Sequence, residues 1–344
     1  MINLLIVLVN LFTIKGKKML INQDFTWDRA KYLGGSDIGA ILGLSQYRTP
    51  LQVWQEKVGQ EAPKADSLPL RFGSFAEAFI ASEYARQTGQ AVIEHPEPFI
   101  HPEHPFLAGH IDRFVMGGPT ALFHSEGVLA TKTLLECKTA SHFVKNQWGD
   151  AGTDEVPLSY LVQCAWYLLL TGCERADLAV FFSSTDFRIY TIYKDSELES
   201  ILLEKALAFW NNYVLSKTPP PPASEADCKL LYRQSKTAKC IEANSNILTS
   251  LNQLPKLNET ISECEERISL IKQAVMEHMQ DADTLTLNGA TLATWKAPKP
   301  SYKLDSKKLL LDHPELASHY QVAIANSRRL VIKEAICEHG GQYA

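Results

Sequence analysis

The sequence predicts an α/β domain over residues 25–218 and, over residues 223–344, a mainly helical region that contains one β-hairpin. Three observations lead there. Helical and strand-like runs alternate from Ile38 to Leu215, as they do in layered α/β domains. The proline run Pro219–Pro222 ends the last of these helices and makes a stiff spacer. Beyond it, apolar residues recur at helical spacing from Asn246 to Met279, and only Thr284–Trp295 reads as strand.

The chain has 344 residues, 45% of them hydrophobic and 21% charged, enough to bury a sizeable core. A net charge of -5 gives no global attraction to nucleic acid, so any such contact must come from local basic groups. The seven cysteines (137, 164, 173, 228, 240, 264 and 337) include no Cys-x-x-Cys pair, and no His lies at zinc-finger spacing. This pattern points to a reducing, cytoplasmic setting without disulfides, zinc or an iron–sulfur cluster. Residues 1–24 form an apolar extension in which Met19 reads as an alternative start. No Lys or Arg precedes the run Met1–Ile14 and no small-residue cleavage site follows it, which argues against a signal peptide. The run is also too short to span a bilayer, and no membrane role is expected.

In chain order, Gly34-Gly35 supplies a turn, and Ser36 and Asp37 are both good caps for an apolar helix over Ile38–Leu42. Ser36 reads either as a plain cap or as a phosphate seat at a helix start. A short helix over Pro50–Val58 begins on proline. Leu70–Gln87 is predicted helical, with Phe72, Phe75, Ala76, Phe79, Ile80 and Tyr84 as its apolar stripe and Glu77 on the solvated flank. Ala91–Ile100 and Phe106–Met116 read as strands around the turn His101–Pro105. Asp112 falls inside the second, and the small Gly109 leaves room there for a ligand. Ala121–Thr131 reads as a hairpin tip and Lys132–Thr139 as a strand. Pro157–Thr171 is predicted helical with Gly172 as its C-cap. On it Gln163 and Tyr167 share a face, either as a helix-packing polar pair or as groups that meet a phosphate or base edge. Strands over Ala176–Ser184 and Phe187–Tyr193 and a helix over Glu197–Leu215 close the domain.

In the C-terminal region, Ile247, Leu251, Leu254, Leu257, Ile261, Ile268, Ile271 and Val275 form a helical stripe, divided or kinked at Pro255. Asn288-Gly289 predicts a type I′ hairpin turn. The segment carrying Trp295, Lys296, Lys299, Tyr302, Lys303, Lys307 and Lys308 reads as solvated surface or as a strip that stacks and pairs with DNA. Asp305 and Asp312 dilute its charge.

The chemistry is concentrated in Thr133-Leu-Leu-Glu136-Cys137-Lys138, preceded by Gly109-His-Ile-Asp112. On a strand, Glu136 and Lys138 project from one face. A carboxylate and an amine so placed, with a second acid on a neighbouring strand, suit metal-assisted phosphodiester chemistry. Asp227-Cys-Lys229 and Asp305-Ser-Lys307 have the same spacing but neither strand nor second acid.

Glu77, Asp112, Glu136-x-Lys138 and Gln163, in that order, resemble the PD-(D/E)xK nuclease core. That resemblance implies a restriction-endonuclease-like fold, a central mixed sheet flanked by helices. More narrowly, GGSDIGAILGLSQYRTPLQVWQEKVG, RFGSFAEAF and LLECKTAS resemble the YqaJ-like viral recombinase family, which includes phage lambda exonuclease. The resemblance implies that Asp112, Glu136 and the Cys137 main-chain carbonyl ligate Mg²⁺, with Mn²⁺ as a substitute. It implies that Lys138 serves the attacking water, that Glu77 contributes through a second metal or a water, and that Gln163 and Tyr167 form the family's Gln-x-x-x-Tyr pair. Arg29 and Ser36 resemble a pocket for a 5′-terminal phosphate. Ile111-Asp112 departs from the usual Pro-Asp pair without changing the ligand. The implied activity is 5′→3′ exonucleolysis from double-stranded DNA ends, leaving 3′ overhangs for a single-strand annealing partner, with a ring-shaped homo-oligomer around DNA. An endonuclease of the same fold and a catalytically idle DNA-binding scaffold are the competing readings.

Overall fold

The centre of a computed structural model of the chain is a five-stranded mixed sheet. The structure describes residues 11–14, 17–20, 28–60, 67–117, 122–124, 129–236, 239–299, 301–320 and 328–333. The chain divides into two units, Met1–Leu231 and Tyr232–Ala344.

The first unit opens with a hairpin of β1 (Leu11–Ile14) and β2 (Lys17–Leu20). Two short helices follow, α1 (Gly35–Ile41) and α2 (Pro50–Lys57). Thr49 and Gln52 cap α2 reciprocally, at 3.3 and 3.0 Å. Next comes α3 (Leu68–Thr88), which stops at Gly89, whose φ of 69° is the left-handed conformation glycine adopts freely. The two long strands expected between residues 91 and 116 are broken into β3 (Ala91–Ile93), β4 (Phe99–Ile100), β5 (Ala108–Gly109) and β6 (Arg113–Met116). Pro96 and Pro98 lack the N–H groups a continuous ladder requires. As a result β4 and β5 pair apart from the main sheet. Of the expected hairpin tip, residues 121 and 125–128 lie outside the described residues; Phe123 and Leu129 form an antiparallel bridge.

The main sheet has the order β3-β6-β7-β8-β9, with β7 (Thr133–Thr139), β8 (Arg175–Ser183) and β9 (Asp186–Tyr193). Only β7 and β8 run parallel. A parallel pair needs a crossover, and α4 (Leu158–Thr171) supplies it. Alternation along β7 divides the layers. Leu134 joins the large core with Val162, Cys164 and Trp166 of α4, whereas Leu135 and Cys137 pack beneath Ala76, Ile80 and Tyr84 of α3. The unit closes with α5 (Ser196–Phe209), a π-helical turn over Trp210–Leu215, and α6 (Glu225–Leu231).

The proline run does not end this unit. Asp227 on α6 is buried and accepts from Thr49 Oγ1 and Ala223 N, both at 2.9 Å. Leu230 and Leu231 pack on the core, so the division falls at Leu231. The second unit contains α7 (Ser245–Met279), β10 (Thr284–Leu287), β11 (Ala290–Thr294), α8 (Ser306–Asp312) and α9 (Glu315–Tyr320). Pro255 sits within α7 without dividing it. Asn288 and Gly289 both have positive φ, 49° and 81°, as a type I′ turn demands. Trp295 and Tyr302 of the basic segment are exposed, and Lys296 pairs with Asp283 at 3.6 Å.

Tyr167 is buried, and its ring presses on two glycines. A Cβ at Gly35 would lie 2.6 Å from the ring, and one at Gly109 2.9 Å from it and 2.8 Å from Leu170. The space expected to admit a ligand at Gly109 is therefore filled by these side chains. Gly35→Ala should cost about 1–3 kcal/mol through overpacking, measurable by urea denaturation; an unchanged midpoint would show that the ring can yield.

Candidate active site

Glu136 lies in the middle of β7, 1% exposed. Its Oε1 accepts from Lys138 Nζ and from Gln163 Nε2, the latter at 2.6 Å. Gln163 Nε2 also donates to Tyr167 Oη at 3.0 Å. The expected helix pair is thus both packed together and turned onto the acid. Oε2 of Glu136 is buried with no hydrogen-bond partner among the described residues.

Asp112 stands one residue before β6 rather than inside a strand. Its Oδ2 accepts from Cys137 N at 2.8 Å. The side chain thereby satisfies a β7 donor just where the β6 ladder stops, at Arg113–Leu135. Burial and the nearby Asp112 push the Glu136 carboxyl up to about 8. Burial acts to lower Lys138, but Glu136 and Asp112 outweigh it and raise its affinity for a proton. The Lys138 ammonium also lies 5.9 Å from the Tyr160 ring centre.

Glu77 is not a solvated flank. Its Oε1 accepts from Arg113 at 2.7 Å, and burial followed by Asp112 raises its carboxyl. The buried side of α3 is Ala76, Ile80, Ala81 and Tyr84, whereas Phe72, Phe75 and Phe79 are exposed. Of the three phenylalanines, Phe79 still meets the sheet, edge-on to Phe181 of β8 at 5.7 Å. Among the described residues, no three His, Cys, Asp or Glu side chains form a metal-holding group on their own; the Arg113 pair keeps Glu77 engaged. The donor set nevertheless fits a hard cation, because Glu136 carries an unpaired buried oxygen and Asp112 lies close enough to raise its pKa.

A second polar cluster surrounds Ser36. Arg29 Nη2 reaches the exposed Ser36 Oγ at 3.3 Å and Asp37 Oδ1 at 3.0 Å. Arg48 binds Asp37 at 2.7 Å and Glu56 at 2.9 Å. Lys57, fully buried, binds Asp37 at 2.9 Å and Glu56 at 2.8 Å. Sequence reasoning missed Arg48, Glu56 and Lys57. Glu56 and Lys57 stand three and four residues after the buried Val53, which places charge on the core side of α2. That was the available signal. The six cysteines among the described residues are free thiols. None of the described helices is long and apolar enough to cross a membrane.

The solved alkaline exonuclease from Laribacter hongkongensis is similar at 14% identity and a TM-score of 0.42, covering 55% of this chain and 91% of its own. A phage-related exonuclease from Haemophilus somnus 129PT gives 14% and 0.41, covering 54% and 95%. The α/β assignment rests on the chain's own sheet and helices. The YqaJ-like viral recombinase domain matches residues 24–174. The uncharacterized protein YqaJ of Bacillus subtilis (strain 168) is 30% identical over 319 residues, 91% of this chain and 94% of the relative. With identity sustained along nearly its whole length, the chain belongs to the YqaJ-like viral recombinase family.

Proposed function

We propose that the chain is a metal-dependent deoxyribonuclease that degrades the 5′-ended strand from double-stranded DNA ends and leaves 3′ overhangs for a single-strand annealing partner. The observation that carries this reading is the buried Glu136, with Oε2 unpaired, Asp112 nearby and Lys138 and Gln163 on its other oxygen. Asp112, Glu136 and the Cys137 carbonyl would hold the ion. Mg²⁺, or Mn²⁺ in its place, would supply Lewis-acid polarisation of the phosphate when bound.

The chain's own groups supply the rest. Lys138, held protonated by the two acids, orients the attacking water and offsets charge growing on the phosphate oxygens. Gln163 fixes the rotamer of Glu136. Glu77 keeps Arg113 in place beside Asp112. Arg29, part-exposed, and Ser36 receive the 5′-phosphate, and Tyr167 holds α1 against α4. Residues 25–231 carry the chemistry, and residues 232–344 serve a partner or a second subunit. The family's recombinase description supports a role in DNA recombination.

A 5′-labelled, 5′-phosphorylated linear duplex is the test. Labelled mononucleotide should appear first in Mg²⁺, a 5′-hydroxyl end should react more slowly, EDTA should stop the reaction, and a covalently closed circle should stay intact. Nicking of the circle would favour an endonuclease. No cleavage in Mg²⁺ or Mn²⁺ would leave a DNA-binding scaffold.

A further inference from the structure

Gln46 and Tyr47 take no part in the chemistry above, yet they line a cleft of about 100 Å³ that Thr139, next to Lys138, also lines. Trp148 and Tyr160 line it together with Tyr47, and their rings are stacked at 5.3 Å and 26°. Tyr47 is 85% exposed. Gln46 and Gln147 meet across the rim through a long 3.4 Å hydrogen bond. Trp148 is 7% exposed, and its Nε1–H is buried with no partner among the described residues. Buried donors are almost always satisfied, and among the described residues nothing accepts from this one.

The position of the cleft narrows what that acceptor belongs to. At one end Tyr47 adjoins Arg48, which is bound through Asp37 to Arg29. At the other, Thr139 follows Lys138 in the chain, and Tyr160 faces the Lys138 ammonium. The cleft therefore borders both the proposed 5′-phosphate clamp and the proposed point of attack. In a DNA strand, the 5′-terminal nucleotide is the unit with one phosphate at each of those places.

We propose that this cleft seats the nucleobase of the 5′-terminal nucleotide, stacked on Tyr47, with Trp148 Nε1–H donating to a base acceptor. The inference rests on the end-directed nuclease reading. Aromatic stacking accepts any base, and every base carries a ring nitrogen or carbonyl acceptor. Recognition is therefore of a base as such, not of its identity.

The test uses 5′-phosphorylated duplexes whose first residue is either a normal nucleotide or an abasic tetrahydrofuran, with the full chain and its Tyr47→Ala and Trp148→Phe variants. The wild type should release the base-bearing residue roughly ten-fold faster, from the ordinary strength of base–aromatic stacking. Tyr47→Ala should slow only the base-bearing end and leave the abasic rate unchanged, and Trp148→Phe should do so more weakly. Equal wild-type rates on the two ends, or a Tyr47→Ala loss shared by both, would overturn the proposal. If the wild type cleaves neither duplex, the nuclease reading fails. The cleft is then judged by tryptophan-fluorescence titration with dAMP against deoxyribose 5-phosphate: dAMP binding that Tyr47→Ala weakens supports it, and no difference between the ligands ends it.

Discussion

Asp112→Asn should lower DNA hydrolysis by about 10²–10³-fold or more, the size of effect that follows loss of a group stabilising transition-state charge. The fold should persist. The amide oxygen of asparagine can still accept from Cys137 N, the bond now made at 2.8 Å, so the end of the β6–β7 ladder stays satisfied. The lost quantity is negative charge. Burial first and then Asp112 hold the Glu136 carboxyl up at about 8, and neutralising Asp112 removes the second of these causes. Initial rates in Mg²⁺ and a thermal melt check both halves. Wild-type rates would remove Asp112 from the site, and a collapsed melt would make it a structural residue.

Lys57→Met should produce the largest loss of stability, about 3–5 kcal/mol, the usual effect of removing one partner from a buried ion pair. Lys57 Nζ sits 2.9 Å from Asp37, 2.8 Å from Glu56 and 2.7 Å from the Arg29 carbonyl. Burial alone would raise the Asp37 carboxyl, but Lys57, Arg29 and Arg48 together hold it below its ordinary value. A carboxylate lowered in the folded state stabilises the fold above its unfolded value, near 3.8, and loses that contribution as pH falls. Without Lys57 the native value rises, so acid unfolding should begin at higher pH. Urea titrations at neutral and acid pH measure both effects; a wild-type midpoint would show that Arg29 and Arg48 suffice.

The parts of the site that were legible are those with a short period. Glu136 and Lys138 alternate on an apolar strand, and Gln163 and Tyr167 lie one helical turn apart, so spacing alone places each pair on one face. Asp112 was legible as an acid near strand text, but its exact placement depends on a side-chain bond to Cys137 that no periodicity encodes. Glu77 was hidden because exposed Phe72, Phe75 and Phe79 widen the apolar stripe of α3 and move its apparent centre. Asp37 reads as a helix cap and does accept from Gly34 N at 3.0 Å. Its other partners come from residues 29, 48 and 57, and only tertiary packing brings them together. The same holds for α6, which follows a proline spacer yet is returned to the first unit by Asp227.

The clamping of Tyr167 between Gly35 and Gly109 has a mechanical consequence. Gly35 adjoins Ser36, Gly109 shortly precedes Asp112, and the Tyr167 hydroxyl receives Gln163, which holds Glu136. A single rigid ring thus acts as a gauge block between the seat proposed for the chain end and the acids proposed to cut it. A smaller side chain at position 167 would remove that spacer between α1 and the Gly109 strand.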